Sequence, residues 1–198
     1  LEGKKMPNWC SNDLALTHTD AALVLKAHDA FKEGKLLEAF IPCPRPLRET
    51  EAVHYPSEPR DKETQVMAER QAAIEAINMK HYGFKNWYDW CIGHWGTKWD
   101  VGGRDASEPE MTGNTLRLYF DSAWSPPTAA YDALLSFGFE VEAYYVEDGM
   151  GFCGYYKNGD DETYDIPETR DEVREKIPEH IDDRLDISAR IAELEGDE

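Results

Sequence analysis

The chain has 198 residues, 41% hydrophobic and 12% aromatic, with 21 Lys and Arg against 40 Asp and Glu, a formal net charge of -19. That length holds one core with appendages, and no apolar run approaches the ~18 residues of a membrane span. Phosphate backbones select basic proteins through counterion release, so a surface this anionic makes nucleic acid and anionic lipid poor partners of the whole and favours a basic protein surface.

Leu1–Lys5 ahead of Met6 read as a cloning remnant, and no signal peptide is expected. Asn12–Thr19 alternates, Leu14 and Leu16 on one side and Asp13, Ala15 and Thr17 on the other, which predicts a half-buried strand. Thr19 then caps a helix with Leu23, Ala27 and Phe31 at helical spacing and Gly34 as its stop. Pro42, Pro44 and Pro46, then Pro56 and Pro59, exclude a helix interior or a central strand. A loop is predicted there, ordered near Ile41–Leu47 and mobile beyond. Asp61–Tyr82 reads as the clearest helix, with Val66, Arg70, Ala73, Ile74, Ile77 and His81 sharing a face and Gly83 ending it. Asn86 caps a short second helix in which Trp87, Trp90 and Cys91 stack a turn apart, and Gly96 releases the chain.

Thr97–Val101 and Thr115–Asp121 predict a hairpin with a long polar tip, Gly102–Gly113; Leu116, Leu118 and Phe120 alternate with Arg117 and Tyr119 in its second strand. Ser125-Pro126-Pro127 opens a helix that runs through Tyr131, Leu134 and Leu135 to Gly138. Phe139–Val146 points Phe139, Val141, Ala143 and Tyr145 inward, turns at Glu147-Asp148-Gly149 and returns through Phe152–Tyr156. Asn158-Gly159 is a hairpin signal and predicts an edge strand near Glu162–Ile166. Ile177, Ile181, Leu185 and Ile191 lie near one face of a C-terminal helix with Pro178 in its first turn.

This order is an elaborated βαββαβ. The fold class is α+β: a ferredoxin-like antiparallel sheet with helices on one face, inserted helices and an acidic C-terminal helix. The ferredoxin-like domain is expected over residues 6–166 with an insert at about 40–95, and the helical extension over residues 167–198.

Four passages carry a resemblance: Met6-Pro-Asn-Trp-Cys-Ser-Asn12, Trp95-Gly-Thr-Lys-Trp-Asp100, Phe120-Asp-Ser-Ala-Trp-Ser-Pro-Pro127 and Gly149-Met-Gly-Phe-Cys-Gly154. Together, and in this order, they resemble the YubB-like proteins carried by conjugative plasmids and phages, described as having a ferredoxin-like domain. The resemblance implies a mobile-element accessory protein in a bacterial cytosol, with no catalytic motif and no established cofactor to carry over. The Pro-rich insert and the acidic C-terminal helix lie outside it.

The residues themselves show little chemistry. Trp87, Trp90, Trp95 and Trp99 crowd into Asn86–Asp100, and with Trp9 and Trp124 they are expected in the core. The rival is an aromatic pocket of Trp95, Lys98, Trp99, Asp100, Asp121 and Trp124, in which Lys98 pairs with Asp100, or Asp100 with Arg117 across the hairpin. His94, Asp100 and Asp121 have no metal-ligand spacing, and Glu147-Asp148-Gly149 lacks the ligand alternation of a cation loop. Gly149–Gly154 precedes a strand, so it lacks the helix N-terminus that holds a phosphate. Cys10, Cys43, Cys91 and Cys153 form no Cys-x-x-Cys pair and read as reduced, mostly buried thiols. No Ser–His–Asp, His-Glu-x-x-His or P-loop pattern occurs. No catalytic residue, metal or cofactor is therefore expected.

Charge remains. From Asp160 onward there are 16 acidic and 5 basic residues, a net of -11, which leaves -8 for residues 1–159. Asp160, Asp161, Glu162, Asp165, Asp171, Glu172, Glu175, Glu179, Asp182, Asp183 and Asp186 string carboxylates along strand and helix. Such a surface offers anions where phosphates would lie in the groove of a nucleic-acid-binding protein. The reading is a non-enzymatic, cytoplasmic interaction module that blocks a basic host surface, of anti-CRISPR or anti-restriction type, with no direct nucleic acid, no membrane and room for a homodimer. Its rivals are a nucleic-acid binder using Arg117 and Tyr119 on the sheet, and an enzyme with a pocket near Trp95, Asp121 and Trp124.

Overall fold

The computed structural model describes residues 8–56, 61–104 and 106–196; the readings of Leu1–Lys5 and Pro59 lie outside them. Six strands, β1 (Trp9–Thr17), β2 (Glu110–Thr112), β3 (Thr115–Ala123), β4 (Glu140–Glu147), β5 (Phe152–Lys157) and β6 (Asp160–Asp165), form one sheet in the order β2-β3-β1-β4-β5-β6. Every neighbouring pair is antiparallel. The helices are α1 (Ala21–Lys32), α2 (Leu36–Phe40), α3 (Arg45–Arg48), α4 (Lys62–Tyr82), α5 (Trp87–Trp95), α6 (Thr128–Leu135), α7 (Arg170–Lys176), α8 (Glu179–Leu185) and α9 (Ile187–Gly196). The order β2-β3-β1-β4 with crossovers through α1 and α6 is the ferredoxin-like arrangement, and β5 and β6 extend it at one edge.

Period-2 alternation sorts the strands' side chains between two faces. On one face Leu14, Leu118 and Ala143 sit in register across β1, β3 and β4. They pack with Phe31 of α1, Trp90 and Trp95 of α5 and Tyr131 of α6, each large apolar side chain contributing about 1.5–3 kcal/mol by leaving water. On the other face Val146 and Cys153 pack with Val173, Ile177, Ile181, Ile187 and Ile191 of the C-terminal segment, with Tyr144, Tyr155 and Tyr164 around them. That segment thus docks on the face opposite α1 and α6. It is three short helices and not one, because Ile177, preceding Pro178, is held extended and Asp186 adopts a left-handed φ of 54°.

Four further expectations change. Thr97–Val101 is a loop, not a strand: the hairpin partner of β3 is the short β2, joined through Gly113 and Asn114. The chain turns back at Gly102, where φ is 97° and a Cβ would stand 2.2 Å from the carbonyl oxygen of Phe31, so only glycine fits. The Pro-rich segment is bracketed by two short helices, α2 and α3, with Pro46 tolerated in the first turn of α3. Asp20, not Thr19, caps α1; its carboxylate accepts the Ala22 N–H at 2.9 Å. The face of α4 that carries Val66, Arg70, Ala73, Ile74, Ile77 and His81 is turned to solvent, and the single buried residue of that helix is Asn78.

No helix among the described residues is long and apolar enough to cross a membrane.

Candidate functional site

The passages that carry the resemblance meet at one end of the sheet. Trp9 at the start of β1 pairs with Ala123 at the end of β3. Asn12 is buried and donates to Ser122 Oγ at 2.9 Å, while Tyr131 Oη donates to its side-chain oxygen at 3.0 Å. Thr97, wholly buried, exchanges bonds with the backbone of Ala123, and Ser125 Oγ donates to the Gly96 carbonyl at 3.0 Å. Gly149 lies against Asn8, whose carbonyl accepts the Trp124 N–H at 2.9 Å. A polar network satisfied this fully fixes geometry locally. It holds Trp124 at φ 70°, a left-handed backbone that costs a non-glycine residue roughly 1–2 kcal/mol.

This scaffold divides the indoles. Trp90 and Trp95 are core residues, meeting edge to face at 5.7 Å, and Trp95 Nε1 donates to the Ile41 carbonyl at 3.0 Å. Trp9, Trp99 and Trp124 are not core, being 45%, 43% and 37% exposed. The left-handed turn at Trp124 and the loop that replaces the expected strand at 97–101 deliver them to the surface together. Trp9 and Trp99 lie 5.8 Å apart. Lys98 is held between two indoles, its Nζ 3.8 Å from the Trp99 ring centre and 4.1 Å from that of Trp124. Burial there lowers the Lys98 pKa.

Trp99 divides two clefts. One, of about 550 Å³, is lined by Trp87, Trp95, Lys98, Lys35 and Arg48, with Cys43, Cys91, Glu38 and Asp100 also lining it. The other, of about 270 Å³, is lined by Trp9, Asp100, Phe120 and Asp121. The six residues of the sequence-level pocket, Trp95, Lys98, Trp99, Asp100, Asp121 and Trp124, therefore do gather around Trp99, although not in one cavity. Asp100 pairs with neither Lys98 nor Arg117. It accepts the N–H groups of Leu37 at 2.7 Å and Glu38 at 2.9 Å and caps α2. Burial raises its pKa against those donors. The same cleft holds two buried thiols: burial pushes Cys91 up to about 12 and Cys43 in the same direction.

On the open half of the second sheet face, Arg117 lies 3.8 Å from Asp13. Arg184 of α8 also reaches Asp13, and donates to Tyr119 Oη at 3.3 Å. Of the two sequence-level candidates for nucleic acid, Tyr119 thus accepts from an arginine of the C-terminal segment, and Arg117 shares the Asp13 carboxylate with that arginine. No spacing rule could have found the Arg184–Asp13 contact, because its partners lie 171 residues apart.

The carboxylates divide as well. Asp182 accepts from the Ser188 N–H at 2.7 Å and Oγ at 2.6 Å, so it fastens α8 to α9. Asp161 accepts from Tyr145 Oη at 2.7 Å and Glu162 from Tyr164 Oη at 2.7 Å. Asp171 pairs with Arg174 and Glu172 with Lys176. Among the described residues Asp160, Asp165, Glu175, Glu179, Asp183 and Asp186 make no ion pair. No group of three or more His, Cys, Asp or Glu among the described residues is placed to hold a metal ion.

One family model agrees with this architecture. Residues 94–188 match a family model described as the ferredoxin-like domain in Api92-like protein. A solved structure that resembles the chain is protein api92 from Yersinia pseudotuberculosis: 15% identical, covering 81% of this chain and 98% of that one, with a TM-score of 0.44. No curated protein matches.

Proposed function

We propose that the protein is an interaction module whose acidic edge docks on a basic protein surface and denies it to nucleic acid. The observation that carries this reading is the setting of β6. It is the outermost strand of the sheet, with Asp160, Asp161, Glu162 and Asp165 exposed. An edge strand offers unpaired backbone groups, and its charges repel other edges while leaving it open to a complementary cationic partner. Glu175, Glu179 and Asp183 follow on α7 and α8. The resemblance to YubB-like proteins supports placing the module on a phage or plasmid, acting in a bacterial cytosol against a host defence effector.

Affinity capture from a bacterial lysate across a salt series tests the reading. Binding should weaken at least about tenfold between about 50 and about 500 mM salt. Neutralising Asp160, Asp165, Glu179 and Asp183 together should have a similar effect, with Asp182 left intact because it holds α9. Capture indifferent to both would overturn the proposal.

Lys98 favours a second reading. A cation held between two exposed indoles, beside a cleft with Lys35 and Arg48 on its wall, suits a planar anionic ligand in an otherwise acidic molecule. Titration with nucleoside monophosphates, followed by tryptophan fluorescence, should quench the native chain and spare Trp99→Ala. A flat titration would remove this reading.

A further inference from the structure

Helix α4 is built the wrong way round for a monomer. Its body-facing row is polar: Gln71 donates to the Glu51 carbonyl at 2.8 Å, and Asn78 donates to Thr50 Oγ1 at 2.9 Å and to the Lys85 carbonyl at 2.8 Å. Its outward row is apolar, with Val66 63% exposed, Ile77 59% exposed, and Met67 and Ile74 also on the surface. Among the described residues no strand or other helix packs extensively along it. At 1.5 Å per residue the stretch from Val66 to Ile77 spans about 17 Å of a helix about 30 Å long. Single apolar residues on a surface need no explanation, but Val66, Met67, Ile74 and Ile77 clustered on one helix point to an interaction site.

We propose that this stripe is covered by α4 of a second copy of the chain, the two helices antiparallel. Charge identifies the occupant. The chain carries -19, yet α4 is neutral, with Lys62, Arg70 and Lys80 against Glu63, Glu69 and Glu75. It is also polarised: the cap Asp61 and Glu63 outnumber Lys62 at its start, and Lys80 and His81 lie in its last turn. Two such helices are self-complementary only when antiparallel.

The seven-residue spacing agrees. Met67, Ile74 and His81 repeat every seven residues, and so do Glu63, Arg70 and Ile77. These two rows form the a and d seam of a two-stranded coiled coil. Pairing about residue 72 sets Glu63 opposite His81, Met67 opposite Ile77 and Arg70 opposite Ile74, each a-row residue meeting a d-row residue. The stem of Arg70 covers the apolar seam while its guanidinium reaches water. Ala73 lies beside the two-fold axis, where a small side chain lets the helices approach.

The exposed stripe offers on the order of 500 Å² per copy, about 1,000 Å² in total, at the lower limit of specific interfaces. Association is therefore weak, and it is opposed by repulsion between two bodies of like charge. Added salt screens that repulsion. The dimer should tighten with salt, whereas docking of the acidic edge on a basic partner loosens, so the two proposals fail separately.

Sedimentation velocity of the full chain, from about 5 to about 200 µM, should show a monomer–dimer equilibrium that shifts toward dimer as salt rises. Ile74→Asp with Ile77→Asp should raise the dissociation constant at least about tenfold, with the helical circular dichroism unchanged at low concentration. Under mild oxidation Ala73→Cys should cross-link to itself, and Lys62→Cys, at the far end of the helix, should not. Either result on the native background is readable because all four native thiols are buried. A chain that stays monomeric throughout, a dimer indifferent to the double substitution, or cross-linking at both cysteine positions would overturn the proposal.

Discussion

Helices α4 and α5 are neighbours in sequence and nearly alike in their local signals. Each opens on a side-chain cap, Asp61 accepting the Thr64 N–H and Asn86 the Asp89 N–H. Each ends on a left-handed glycine, Gly83 at φ 76° and Gly96 at φ 81°. Both carry apolar residues at helical spacing. Yet α5 buries Trp90, Cys91 and Trp95, while α4 buries only Asn78. A helical stripe thus reports which side chains prefer to leave water; it does not say which surface receives them. The indoles of α5 are received by α6 and the carbonyl of Ile41, with Gly96 bare enough for the backbone of Thr128 to approach. Among the described residues, no surface receives the stripe of α4.

The largest test of that contrast is Trp95→Ala. It empties the anchor of α5 and should cost about 3–5 kcal/mol in urea unfolding; a loss under about 1 kcal/mol would make α5 no more an anchor than α4. Asn78→Ala comes next. It leaves the buried Thr50 hydroxyl and Lys85 carbonyl without their donor, for a cost of about 1–3 kcal/mol. Amide exchange along α4 should rise with it, because Gln71 and Asn78 are its side-chain tethers.

Alkaline pH gives a third measure. Burial holds the Cys91 thiol at about 12 in the folded chain against 9.0 when exposed. Between those values the folded state keeps a proton that the unfolded state releases, so stability falls as pH rises above 9. Cys91 should account for on the order of 1 kcal/mol of the loss by about pH 10, and Cys91→Ala should flatten the slope by that amount. Cys10, also pushed to about 12 by burial, adds to the same fall. The smallest expected effect is that of Val66→Ser. At protein concentrations too low for association it should change stability by less than about 0.5 kcal/mol.

The regular parts of the fold were legible because they rest on local periodicity. Leu14 and Leu16 in β1, and Val141, Ala143 and Tyr145 in β4, alternate in the sequence as they do in the sheet. Asn158 and Gly159, at φ 48° and 101°, form the tight turn that their residue types demand. Where the reading of residues 97–102 went wrong, the deciding contacts were distant. Thr97 bonds to Ala123 and Gly102 packs on Phe31, so the segment between them leaves the sheet. The core assignment held for Trp90 and Trp95 and in part for Trp87, which is half-buried against the core, but not for Trp9, Trp99 and Trp124, since an indole suits a buried site and a half-buried one equally well. The gathering of six candidate residues around Trp99 was visible as composition; their division between two clefts was not.

The sequence by itself determined the strand and helix periods, the ends of α4 and α5, the hairpin turn and the excess of carboxylates, because each depends on residues within a few positions of one another. Tertiary structure alone decided that the C-terminal segment covers the second sheet face, that Arg184 ties Asp13 to Tyr119, and that Asp182 serves as a fastening while Asp183 makes no ion pair among the described residues. It also decided that α4 shows its apolar side to water. Such outcomes depend on which distant surface comes within reach, and periodicity along a chain carries no record of distance across it.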